Sequence, residues 1–288
     1  MQPVFSLSYL TCLDQPPPSA IAVAAEAGYS HVGLRLLPAG PGGISYRLMD
    51  DPAGLANTLA ALRDTGVKVF DLEMVRLGAE FSVEPYRPFL ETGARLGARA
   101  VLVAGDDSDE DRLTDSFVAL CEASAPFGLS VELEFMPQTQ IRDVRSALRV
   151  LTRADQTNAG IIVDALHFQR SRSSIDDALA IPAHWLTYLQ ICDAPAEIPE
   201  TIEALNYTAR HERLLPGEGG IDLVGLFAKL PRDLPISVEV PNDRRAAAAG
   251  AIGWARQALA AARSVLAAAW ADADVASILA RSGANRTS

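Results

Sequence analysis

Short apolar, β-branched runs alternate with longer amphipathic runs along this chain, and the two types exchange about eight times. The period-two runs predict strands near Val4–Tyr9, His31–Leu36, Lys68–Met74, Ala100–Ala104, Ser130–Phe135, Gly160–Asp164, Thr187–Cys192 and Ile236–Val240. Between them, helical patterning covers Ser19–Ala27, Ala53–Thr65, Pro85–Leu96, Arg112–Pro126, Ile141–Ala154, Ser174–Ala180, Leu223–Leu230 and Ala249–Ala268. Pro16, Pro17 and Pro18 precede the first helix, while Gly66, Gly97 and Gly128 follow later ones, in keeping with start and stop chemistry. Strand and helix in strict alternation predict parallel strands joined by helical crossovers, and eight such units predict closure into one (β/α)8 TIM barrel over residues 1–268. An open doubly wound sheet would need a glycine-rich turn after the first strand, and the stretch from Tyr9 to Pro18 has none. The remaining residues, 269–288, read as a C-terminal helical extension, helical over Ala271–Leu279 and disordered from Ser282 onward.

The chemistry lies in acidic residues set inside apolar strands. Glu132 and Glu134 share one face of the fifth strand by the two-residue period, with Val131, Leu133 and Phe135 facing the helices. The third strand repeats this arrangement with Asp71 and Glu73. Asp164 ends the sixth strand, Gln190 points inward from the seventh with Asp193 at its exit, and Glu239 ends the eighth just before Pro241. Carboxylates gathered in a barrel repel each other and lose hydration, at a cost of several kcal/mol each when unpaired. Two remedies are open. One divalent cation could be held by Glu134, Asp164 and Glu239, at the strand ends where this fold keeps its chemistry. Alternatively, Arg35, Arg210 or Arg213 could pin the acids as ion pairs. His167, three residues past Asp164, breaks strand parity and is expected on the loop above the mouth. His211 is expected in a charged loop. Gly217, Gly219 and Gly220 follow Arg213 in a turn whose amides could hold an anion, with Asp222 capping the next helix.

Composition narrows the field. The chain has 288 residues, 49% hydrophobic and 21% charged, with a net charge of −11. An acidic protein without a basic patch is a poor ligand for nucleic acid. No apolar run is long enough for a membrane span, and the first residues carry no leader pattern. Three scattered cysteines, Cys12, Cys121 and Cys192, predict no disulfide framework and a cytoplasmic setting. Trp254 and Trp270 are expected in core packing; they could otherwise anchor a homo-oligomer.

The stretches Leu133–Pro137, Val163–Ser171, Leu189–Pro195, Arg213–Gly219 and Val238–Pro241 together resemble the sugar phosphate isomerase/epimerase family, the xylose isomerase-like barrels. The resemblance runs from the first strand to the eighth helix. It implies one divalent cation held by Glu134, Asp164, Gln190 and Glu239, with Gln190 standing where the family's histidine is usual. That neutral oxygen donor favours Mn2+ or Mg2+ over zinc-like binding. The resemblance also implies that Glu134 and Glu239 exchange the proton and that His167 touches substrate. Arg35, Glu73 and Arg213 join His167 as expected substrate contacts. The expected activity is isomerisation or epimerisation of a sugar or sugar phosphate, by proton transfer beside a carbonyl through an enediolate. A keto-polyol or dehydroshikimate-type dehydratase on the same site is the alternative, with Arg35, Arg210 or Arg213 gripping a substrate carboxylate. A sugar-binding barrel that has lost its metal is the further alternative. The expected partner is a small polyhydroxylated or keto-acid substrate.

Overall fold

The computed structural model describes residues 3–40 and 42–284, with side chains through 271. Eight parallel strands close into a barrel in sequence order. They are β1 (Phe5–Leu7), β2 (His31–Arg35), β3 (Lys68–Leu77), β4 (Ala100–Gly105), β5 (Ser130–Glu134), β6 (Ala159–Asp164), β7 (Leu186–Ile191) and β8 (Ile236–Val238). The helices are α1 (Pro17–Ala27), α2 (Pro52–Thr65), α3 (Arg87–Leu96), α4 (Glu110–Ser124), α5 (Val144–Ala154), α6 (Ala165–Arg170), α7 (Ile175–Leu179), α8 (Ile202–His211), α9 (Leu223–Lys229), α10 (Asp243–Ala249) and α11 (Ala251–Ala284). The expected barrel is therefore the observed one.

Strand parity sorts the side chains into two cores. Outward residues such as Val101, Val103, Val131, Leu133, Ile161 and Val163 pack against the helices in one continuous hydrophobic layer. The barrel interior holds a smaller group of Phe70, Met74, Ala100, Leu102, Ala104, Met136, Ile162 and Tyr188. The upper interior is polar, and that is where the site forms.

Helix ends follow the sequence chemistry. The side chains of Asp109, Asp143 and Asp222 accept amide hydrogens from the first turns of α4, α5 and α9. Gly66 and Gly97 close α2 and α3 with φ of 74° and 70°, a backbone state that an L side chain resists. Several boundaries differ from the sequence expectation. β3 runs on to Leu77, and β8 stops at Val238, because Pro241 and the turn into α10 draw the chain out of the ladder. The stretch around His211, expected as loop, is the end of α8. The alanine-rich run is two helices, because Gly250 (φ 71°) breaks it. α11 then continues through residue 268 without interruption to Ala284, so Ser282 is helical; residues 285–288 lie outside the described part. Trp254 is fully buried, and its ring nitrogen donates to the Val240 carbonyl, which bears out its core assignment.

Candidate metal and carbonyl-chemistry site

Register brings the acids together. Asp164 on β6 pairs with Gln190 on β7, and Gln190 pairs with Ser237, two residues before Glu239. Glu134 ends β5 next to Ile162 on β6. Glu134, Asp164 and Glu239 each offer an oxygen within 4.8 Å of the others, and all three are buried. Among the described residues this is the one group placed to hold a metal ion.

The neighbours of these oxygens are unequal. Asp164 Oδ1 accepts the His167 amide at 2.9 Å, and Oδ2 accepts from Arg213 Nη1 at 2.6 Å. Glu239 Oε1 accepts from Ser8 Oγ at 2.7 Å and Gln190 Nε2 at 3.3 Å, while Oε2 lies 2.8 Å from Arg213 Nη2. Glu134 Oε1 and Gln190 Oε1 are buried acceptors with no hydrogen-bond partner. Buried oxygens are rarely left so. An orphaned Glu134 oxygen within a cluster of three buried carboxylates suits a cation, and Gln190, paired with Asp164 across the β6–β7 ladder, could add a fourth oxygen. Ion pairing by arginine, the other remedy foreseen from the sequence, is present as well through Arg213 and through Arg35, which meets Glu73 Oε2 at 2.6 Å.

Burial pushes the Glu134 carboxyl well above its ordinary range, and the nearby Glu239 and Asp164 charges push it further. Burial raises Glu239 as well, against the pull of Arg213, to about 7. Burial would also raise Asp164, but Arg213 and His167 outweigh it and hold Asp164 below the usual value. Burial lowers His167 to about 4, so its imidazole is neutral near pH 7. His167 is not on a loop: Asp164 caps the helix that starts at Ala165, and this winds His167 back over the site, buried, with Nε2 3.9 Å from Glu134 Oε1.

Beneath this layer the remaining acids have private partners. Tyr188 donates to Asp71 at 3.0 Å, and Thr187 donates to Glu132 at 2.5 Å. A Cβ at Gly33 would collide with Asp71, and one at Gly160 with Glu132. The glycine-rich turn after Arg213 does not offer its amides to a ligand. The amides of Gly217, Gly219 and Ile221, together with that of Ala194, all donate to the Asp193 carboxylate, at 2.8–3.1 Å. An internal anion fills the cradle that the sequence suggested for an external one.

Beside the carboxylates lies a cavity of about 250 Å³, lined by Glu73, Glu134, His167 and Glu239 and by Met74, Leu102, Met136 and Ile44. Arg35, Arg76 and Arg210 also line it. Arg76 is paired with Asp106 at 2.5 Å and donates to the Ala39 carbonyl at 2.8 Å. Among the described residues, the Arg210 guanidinium has no hydrogen-bond or ion-pair partner. Burial, and then the Arg76 and Arg35 charges, lower its proton affinity. Sequence reading missed Ser8, which touches Glu73 and Glu239 together. Its parity with Ser6 on the first strand was the available signal. Tyr188 was missed likewise, although it sits two residues before Gln190 on the same face.

An eight-stranded α/β barrel carries its chemistry at the C-terminal ends of its strands, and the carboxylate centre lies there. The family described as xylose isomerase-like TIM barrel matches residues 21–265, and the chain belongs to it. Over 157 residues it is 32% identical to a 3-dehydroshikimate dehydratase of Pseudomonas aeruginosa, a stretch that makes up 51% of this chain and 24% of that protein. It is 22% identical over 151 residues to an inosose isomerase of Bacillus licheniformis, covering 49% of this chain and 52% of the relative. The chain thus spans about a quarter of the first relative and about half of the second. The solved IolI protein with a bound zinc atom superposes with a TM-score of 0.74 at 18% identity, covering 91% of this chain and 98% of that one. At such identity the likeness speaks for the fold.

The expectation that Gln190 is a ligand gives a direct prediction. Gln190→His should raise affinity for Zn2+ relative to Mg2+, because imidazole is the stronger donor to the softer ion. Competitive metal titration followed by elemental analysis would measure this. Unchanged selectivity would remove Gln190 from the coordinating set.

Proposed function

We propose that this protein removes a proton from the carbon beside a carbonyl of a small polyhydroxylated keto acid and expels water from the next position. The observation that carries the reading is Arg210, an exposed guanidinium on the lining of the cavity that Glu73, Glu134 and Glu239 also line, with no hydrogen-bond or ion-pair partner among the described residues. Glu134, Asp164, Gln190 and Glu239 would hold one divalent cation, and their oxygen donors favour Mn2+ or Mg2+. When bound, that cation supplies Lewis-acid polarisation of a carbonyl oxygen.

The protein's own residues divide the remaining work. Glu134 lines the cavity and keeps one oxygen without a hydrogen-bond partner, so in its ionised form it is suited to take the proton. The electron pair of the broken C–H bond forms the new double bond, and hydroxide leaves the adjacent carbon with a proton returned by Glu239. His167, neutral, sits where it can hold a substrate hydroxyl. Arg210, beside Arg35, receives the carboxylate. Met74, Leu102 and Met136 give a ring an apolar surface to lie on. The dehydratase relative, at 32% identity, supports the same choice.

Isomerisation or epimerisation of a sugar is the second reading. It shares the first proton transfer and is favoured by the inosose isomerase relative. Purified protein with Mn2+ and 3-dehydroshikimate separates the two: dehydration yields an aromatic acid seen in the ultraviolet. Exchange of solvent deuterium into an inosose without aromatic product would favour the second reading. Under the first, Arg210→Gln should raise KM by roughly 10- to 100-fold with a smaller change in kcat, since a charged hydrogen bond contributes about 1.5–3 kcal/mol. An unchanged KM would remove the carboxylate anchor.

A further inference from the structure

Arg213 lines the cavity, yet its guanidinium is already committed. Nε donates to the Ala209 carbonyl at 2.9 Å. Nη1 donates to Asp164 Oδ2 at 2.6 Å and lies 3.2 Å from the Cys192 sulfur. Nη2 lies 2.8 Å from Glu239 Oε2. The side chain is 2% exposed.

The backbone is equally fixed. The Arg213 amide donates to the Pro241 carbonyl at 2.9 Å, and its own carbonyl accepts from Asn242 Nδ2 at 2.9 Å. Leu214 pairs with Asp193, whose carboxylate ties down the glycine turn that follows. An arm held at both ends in this way does not swing out to grip a ligand. Such a guanidinium, forked across two carboxylates, sets their spacing instead.

We propose that Arg213 is a built-in counter-ion of the carboxylate centre: a positioning residue that keeps Asp164 and Glu239 aligned with or without a divalent cation. The inference rests on the metal reading above only for the ion that completes the balance. Glu134, Asp164 and Glu239, when ionised, together carry three negative charges, and one guanidinium leaves two for a divalent cation to neutralise. Two further buried oxygens, Glu134 Oε1 and Gln190 Oε1, receive no hydrogen bond from Arg213 or from any other donor among the described residues. The arginine thus pairs with two of the three carboxylates and leaves Glu134 Oε1 unpaired. A buried charge deprived of its partner is strongly destabilising, so the role has a readout in the metal-free protein.

The test compares melting of wild type, Arg213→Gln, and the double variant Arg213→Gln/Glu239→Gln, each without metal and with Mn2+; Mn2+ binding is read by electron paramagnetic resonance. The single variant should melt roughly 10 °C lower without metal. Its gain on adding Mn2+ should exceed the wild type's, because the ion then does the neutralising alone. The double variant, which removes one carboxylate with the cation, should recover at least half of the metal-free loss. If Arg213 only fills space, the second change deepens the loss, and that result overturns the proposal. Should the single variant fail to fold, recovery of the double variant still supports the proposal and its failure overturns it. Absence of Mn2+ binding by wild type would sink the metal reading while leaving the metal-free rescue to be judged separately.

Discussion

Glu134→Gln should lower turnover by about 10³-fold, the scale of a lost general base, while the protein melts at or above the wild-type temperature. The two effects part because the residue is poorly accommodated as an ion. It is buried, one oxygen has no donor, and Glu239 and Asp164 press their charges on it. An amide keeps the shape and still turns an oxygen toward the centre, but it cannot take a proton. Initial rates and melting curves on the same preparation decide the matter. A variant that keeps more than a tenth of the activity would move the proton transfer elsewhere, with Glu239 and His167 next in line.

Glu132→Gln should stabilise the protein at alkaline pH by up to about 3 kcal/mol. Burial, opposed by the Thr187 hydrogen bond, raises this carboxyl to about 7. In the unfolded chain it titrates near its ordinary 4.5. Between those two values the unfolded state has released the proton and the folded state has kept it. Stability linked to this group is therefore complete below pH 4.5 and is lost as pH rises through 7. The amide has no proton to release, and its oxygen still accepts from Thr187. Urea melts at pH 4 and pH 8 should show the variant and wild type nearly equal at the lower pH and apart at the higher one. Equal stability at both would mean that Glu132 is ionised in the fold.

The two acids also show what was readable in the chain. Parity along Val131–Phe135 placed Glu132 and Glu134 in the barrel, because a strand alternates faces whatever its neighbours are. Their different fates could not be read there. Glu132 has Thr187 and the gap over Gly160, whereas Glu134 has the open cavity, and both depend on which residue of β6 or β7 lies opposite. The register shifts between β6 and β7 and between β2 and β3 are properties of barrel closure that no single strand encodes. His167 was misplaced for a related reason. Counting past Asp164 assumes the strand ends in loop, whereas the Asp164 side chain starts a helix at once. The anion cradle after Arg213 was legible as glycines and illegible as to its occupant, since Asp193 is more than twenty residues earlier in the chain.

The glycines under the inner acids have a consequence for protein engineering. Moving this centre to another barrel by copying its acids would not be enough. Gly33 faces Asp71 from the neighbouring strand, and Gly160 faces Glu132 in the same way, so each acid occupies the volume of a missing side chain. A recipient scaffold with alanine at either place would force the carboxylate out of its slot and tilt the layer above it. The transplantable unit is the acid together with the hollow beside it.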